Sequence, residues 1–138
     1  MPLYNSAKAN LMNGSIDLDT DTIKVMLCTS SYTPNIDTHE DRADVTNEIT
    51  GTGYTAGGET LANTSVSVDT TDDEGVFDAD DVTWSTATIT ARYAVVYKST
   101  GVSANDLLIA YIDFGSDQSS SASNFTLQWN AEGIVNIT

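Results

Sequence analysis

Between Val82 and Ser99 the chain alternates with a period of two. Ile89, Ala91, Tyr93, Val95 and Tyr97 fall to one side of an extended backbone, and Thr90, Arg92, Ala94, Val96 and Lys98 to the other. Thr, Val, Ile and Tyr suit a pleated, packed surface, so the spacing predicts a strand. Its second side is apolar at Ala94 and Val96, which predicts that the end of the strand is covered on both faces and sits centrally in its sheet.

The same period recurs elsewhere. Thr22–Thr29 contains the apolar run Ile23–Cys28, and Thr60–Val68 sets Leu61, Asn63, Ser65 and Ser67 against Ala62, Thr64, Val66 and Val68. Val76–Trp84 alternates through Phe77 and Ala79 and restarts at Val82, predicting a bend near Asp80–Asp81. Leu107–Phe114 is an apolar strand ended by Gly115. Phe125–Gln128 with Trp129, then Ile134–Ile137, close the set, the last pinned in a sheet. Ser116–Asn124, SDQSSSASN, reads as a low-complexity loop. Seven or eight strands separated by regular turn signals predict an all-β fold: an antiparallel β-sandwich or a jelly-roll-like barrel.

One helix is expected, over Leu3–Met12. Asn5 or Ser6 can cap it, Ala7–Ala9 propagate it, and Asn13–Gly14 supply a left-handed stop. Leu3, Tyr4, Ala7, Leu11 and Met12 give it a narrow apolar stripe. So short a helix is marginal alone, and the segment 1–14 is expected to dock on the rest of one domain spanning 1–138.

The chain carries 20 acidic and 5 basic residues, a formal charge of −15. Displacing counterions from a nucleic acid needs a basic patch, which five dispersed cations do not supply, and anionic membranes are disfavoured for the same reason. No apolar run has the length of a membrane span and no apolar leader opens the chain, so a soluble product without a signal is expected. Hydrophobic content of 40% indicates a folded domain with an acidic skin.

Candidate chemistry is sparse. Asp17, Asp19 and Asp21 have calcium-like spacing, but Thr22 stands where the tight turn needs glycine and Cys28 where the bidentate glutamate belongs. This stretch reads instead as an edge strand with a charged face. Asp69, Asp72, Asp73, Glu74, Asp78, Asp80 and Asp81 are dense enough to hold a cation if they converge; dispersed solvated charge is the plainer expectation. GTGYTAGG (51–58) lacks the Gly-Lys-Ser/Thr ending of a phosphate loop and reads as a sharply turning connection. The lone His39 lies in a charged loop, where Thr38–Asp41 can start a short helix, and has no evident nucleophile partner. Cys28, inside an apolar run, reads as a small buried hydrophobe. Carboxylate pairs suffice by inventory for a glycosidase, yet two tryptophans in strand-like settings give no sign of a sugar-stacking cleft. No enzyme, cofactor or metal site is expected.

Several pieces together resemble a widespread family of small virion proteins of tailed bacteriophages, of the capsid cement or decoration type. They are LYNSAKANLMNGSIDLDTDTIKVMLCTSSYTPN (3–35), DVTNEITGTGYTAGGETL (44–61), FDADDVTWSTATITARYAVVYK (77–98) and LIAYIDFGSDQSSSASNFTLQWNAEGIVNI (108–137). The resemblance implies a structural role: a protein made in the host cytoplasm that binds the outside of the head as a homotrimer, against the major capsid protein. A tail, adaptor or fibre-associated component is the alternative it leaves open. The expected partner-binding residues are Leu3, Tyr4, Leu11 and Met12 of the apolar N-terminal segment, or a strand edge offered for pairing.

Overall fold

The computed structural model describes residues 1–138, and the strand expected at Val82–Ser99 is its longest central element. In chain order the elements are α1 (Asn5–Met12), β1 (Ile23–Cys28), β2 (Glu59–Thr60), β3 (Ser65–Asp69), β4 (Glu74–Asp78), β5 (Val82–Lys98), β6 (Leu108–Leu127) and β7 (Val135–Ile137). They form two antiparallel sheets, ordered β2-β1-β5-β6 and β3-β4-β7. Apolar residues of both sheets meet in one core that includes Val25, Leu27, Phe77, Trp84, Val96, Ile109 and Val135. This is a β-sandwich with a short N-terminal helix; neither sheet closes into a barrel.

β5 lies between β1 and β6, pairing Ile23↔Lys98 through Cys28↔Tyr93 on one side and Val82↔Leu127 through Tyr97↔Leu108 on the other. Ala94, Val95, Val96 and Tyr97 are all buried, so its end is covered on both faces, as the apolar second side predicts. Ala94 and Val96 face the inter-sheet core. Val95 and Tyr97 face a second cluster with Tyr4, Ala7, Met26, Tyr32 and Leu108, and there the N-terminal segment is the lid.

The alternation is not one unbroken register. Ile89 and Ala91 lie in the inter-sheet core, whereas Tyr93, Val95 and Tyr97 lie in or against the second cluster, so the faces exchange near Arg92. The β5–β6 register shifts there, between Ala91↔Gln118 and Tyr93↔Asp113. Such an irregularity reverses which face every later side chain meets.

Other expectations are corrected by how the sheets share the chain. Thr60–Val68 is not one strand: Asn63 takes φ +52°, and β2 and β3 belong to different sheets. Asp17–Asp21 is a turn rather than an edge strand, closed by Asp17 N–H on Asp21 Oδ2 (2.8 Å) and Asp19 N–H on Asp17 Oδ1 (3.0 Å). β1 itself is flanked on both sides. Ser116–Asn124 is not a loop but the middle of β6, held to β5 by Thr90–Ser119 hydroxyls (2.8 Å), Ser120 Oγ on Ala87 O (2.8 Å) and Ala122 N–H on Thr88 Oγ1 (2.9 Å). Neither Asn5 nor Ser6 caps α1; Tyr4 occupies the N-cap without a side-chain bond, and the helix ends at Asn13–Gly14 as expected. The short helix expected from Thr38 reduces to a single 3₁₀ turn, Arg42–Asp44, whose Asp41 accepts from Ala43 N–H (2.9 Å).

Asp106, wholly buried, ties that turn to the loop after β5. Its carboxylate accepts from Arg42 Nε (2.8 Å), Thr100 N–H (2.6 Å) and the Thr100 hydroxyl (2.8 Å). Burial opposes ionisation, but these hydrogen bonds outweigh it and hold the carboxyl below its ordinary value. With the folded value below the unfolded one of about 3.9, this stabilisation is complete above that pH and is lost as pH falls through the folded value. Asp106→Asn should therefore flatten the acid limb of a plot of Tm against pH between roughly 5 and 2. An acid limb unchanged in the variant would remove Asp106 as its source.

Candidate functional site

α1 is carried on the larger sheet by its first turns. Tyr4 N–H donates to Ile109 O (3.1 Å), Leu3 bridges to Ala110, and Asn5 N–H donates to Ile36 O (2.9 Å). Tyr4 OH and Tyr32 OH are hydrogen-bonded at 2.8 Å, and Tyr32 OH meets His39 Nδ1 at 3.1 Å. Burial pushes the Tyr4 phenol pKa far up and that of Tyr32 up to about 12, so both stay neutral. His39 thus packs against and orients Tyr32, and its Nδ1 also lies 3.4 Å from Asn35 N–H. Burial raises the Cys28 thiol to about 12, in keeping with a core hydrophobe.

These bonds leave the outer flank of α1 free. Across from it runs β7, which pairs only with β4. Between the two is an open cleft of about 470 Å³, lined by Leu3, Lys8, Leu11, Met12, Asn136 and Ile137 together with Thr138. It continues beneath the smaller sheet along Leu11, Ile16, Leu18, Val66 and Ile137. Met12 is 84% exposed, and Val66, Val68 and Ile137 are also exposed, so apolar surface runs from the helix end onto the sheet.

Of the four residues expected to meet a partner, Leu3, Leu11 and Met12 line this cleft. Tyr4 does not: it is fully buried in the second cluster, because its ring faces the larger sheet and its hydroxyl is engaged by Tyr32. Ile137 and Val66 were not expected. Nothing near Leu11 in sequence signals that a strand more than a hundred residues on would lie beside it.

The acidic residues partition. Asp69 accepts from Thr71 N–H (2.7 Å) in the β3–β4 turn, Asp80 from Asn63 Nδ2 (2.6 Å) and Asp81 from Trp129 N–H (2.9 Å), so these serve local structure. Asp72 and Glu74 instead converge with Glu132, a residue outside the acidic run, to place carboxylate oxygens within 4.8 Å of one another. Glu74 Oε1 accepts from Asn136 Nδ2 (2.6 Å), which fixes this trio beside β7. The chain's ion pairs are Arg42–Asp106, Arg92–Asp113 and Lys98–Asp21, and none reaches it. Asp72→Asn removes like charge without removing a bond; Tm should stay within about 2 °C or rise, and a larger fall in a thermal scan would contradict this reading.

Compared with protein-family models, characterised proteins and solved structures, the chain matches none of them.

Proposed function

We propose that this chain is a structural protein of a tailed-phage particle: a capsid cement or decoration protein that binds the outside of the head, as a homotrimer, against the major capsid protein. The observation that carries the reading is the cleft. Its apolar lining comes from Leu3, Leu11, Met12 and Ile137, rimmed by Lys8, Asn136 and Thr138, and it lies against the N-terminal segment, where a partner is expected. The assignment to phage rests on the sequence resemblance. The physical role is to bridge neighbouring subunits, so that added buried interface opposes the outward pressure on the shell; a stable contact needs roughly 1,000 Å² of buried surface, more than this cleft alone supplies.

Purified particles test the proposal. A reconstruction of the intact particle should show the chain on the shell, at a copy number that matches the capsid lattice when measured by quantitative gel. Copies confined to the tail would favour the tail or fibre assignment instead, and a particle without the chain removes both.

A further inference from the structure

β7 has one paired edge and one free edge. Gly133–Thr138, GIVNIT, contains no Lys, Pro or other charge, and its three-residue ladder with β4 has no bulge. Charge, proline and bulges are among the devices that protect sheet edges from adding a strand; shortness is another, and β7, at three residues, has that one alone. β3, the opposite edge, also exposes apolar side chains, Val66 and Val68, but the carboxylate trio is fixed beside β7. At β7 the cleft lies alongside, with Leu3, Leu11 and Met12 as its far wall.

A strand laid along β7 would alternate its side chains between two settings. Residues level with Ile137 point into the apolar cleft. A residue opposite Asn136 has its Cβ about 4.5–5.5 Å from that of Asn136 on the other face, and there the Asn136 amide already touches Glu74 Oε1 (2.6 Å) and Glu132 O (2.7 Å). That face presents three carboxylates and no cation of this chain's own ion pairs. A second copy would bring 20 acidic residues and 5 basic ones, and three of the five basic side chains are already in ion pairs. Like charge therefore disfavours a second copy, and a segment with basic residues on one side complements the carboxylate face, its apolar side meeting the cleft, where Lys8 is the one cation.

We infer that the cleft between α1 and β7 takes an extended segment of another protein, which pairs with the free edge of β7, buries apolar side chains against Leu11, Met12 and Ile137, and carries Lys or Arg at the alternate position facing Asp72, Glu74 and Glu132. This rests on the reading of the cleft as the place where a structural partner is met. It adds the partner's chemistry and the mode of binding.

Titrating the isotopically labelled full chain with short capped peptides tests it by NMR. A peptide alternating valine and lysine should shift amides of Leu3–Met12 and Val135–Thr138, and bind at least about tenfold more tightly than one alternating valine and glutamate or threonine and lysine. Ile137→Asp or Met12→Asp, both at exposed positions and checked for native circular dichroism, should abolish that preference for valine. Asp72→Asn with Glu132→Gln should narrow the gap between the lysine and glutamate peptides. Equal binding of the two valine peptides, shifts centred on β3, or self-association in sedimentation equilibrium that Ile137→Asp disperses, would each overturn the inference. A chain present on the shell whose cleft ignores the lysine peptide defeats the inference alone; a chain absent from particles that still binds it defeats the proposed function alone.

Discussion

Gly58→Ala should destabilise this protein by about 4 kcal/mol or more and lower its Tm by roughly 10 °C or more. Gly58 adopts φ +73°, a region where an L side chain costs about 1–2 kcal/mol. Steric overlap costs more than that. A Cβ at this position would run into Val25 O and lie 2.7 Å from Met26 Cα. Both belong to the backbone of β1, which is paired to β2 and β5 and cannot retreat without breaking a ladder. The surrounding loop is equally fixed: Tyr97 OH donates to Gly57 O (2.6 Å), Gly57 N–H to Glu48 Oε1 (2.6 Å), and Tyr54 OH to the same oxygen (2.7 Å). Gly14→Ala is the control. Its φ is +79° but no atom lies within 4 Å of the added Cβ, so only the conformational cost of about 1 kcal/mol applies. Denaturant midpoints of the two variants should separate clearly; equal losses would mean that the close approach to β1 is not what glycine serves at Gly58.

That loop also marks where sequence reasoning reached and where it stopped. Four glycines in GTGYTAGG announce an unusual backbone, and the absent lysine excludes a phosphate loop. Nothing local indicates that Gly58 is pressed against a strand thirty residues earlier. β5 was legible because half-buried strands repeat every two residues in the sequence itself. The exchange of its faces near Arg92 was not, since a bulge shifts the phase without changing composition. Ser116–Asn124 hid for a different reason. Both its faces are largely exposed, so no apolar period arises, and it is a strand only because the hydroxyl ladder of β5 lies alongside.

The cleft follows the same logic. Leu3, Leu11 and Met12 are legible as an apolar stripe that a short helix must place somewhere. Sequence pattern marks such a stripe without dividing it between the residues that dock and those left over. Tyr4 and Ala7 take the docking side because the second cluster needs a cover over Val95 and Tyr97. Met12 is left exposed, and Ile137 and the carboxylate trio join it only through the β4–β7 pairing. A site assembled from both ends of a chain is a property of topology.

Trp84→Ala should cost about 3–5 kcal/mol, since the indole is 1% exposed and its removal opens a cavity in the inter-sheet core. The ring stands 6.1 Å from Tyr54 and 6.0 Å from Phe125, between the glycine loop and the far end of the β5–β6 ladder. Trp84 and Phe125 are ladder partners, and the bridge Thr52↔Thr88 ties the glycine loop to β5, so the backbone is held around the gap and little can collapse into it. One atom of the indole works against this stability. Its Nε1–H is buried without a hydrogen-bond partner, and an unsatisfied buried donor costs about 1–3 kcal/mol. Trp84→Phe keeps most of the apolar volume and deletes that donor, so its loss should be less than half that of alanine. Urea unfolding of both variants decides the matter. If phenylalanine were as damaging as alanine, the indole N–H would have to contribute favourably, and the account of Trp84 as a volume-filling wedge would fail.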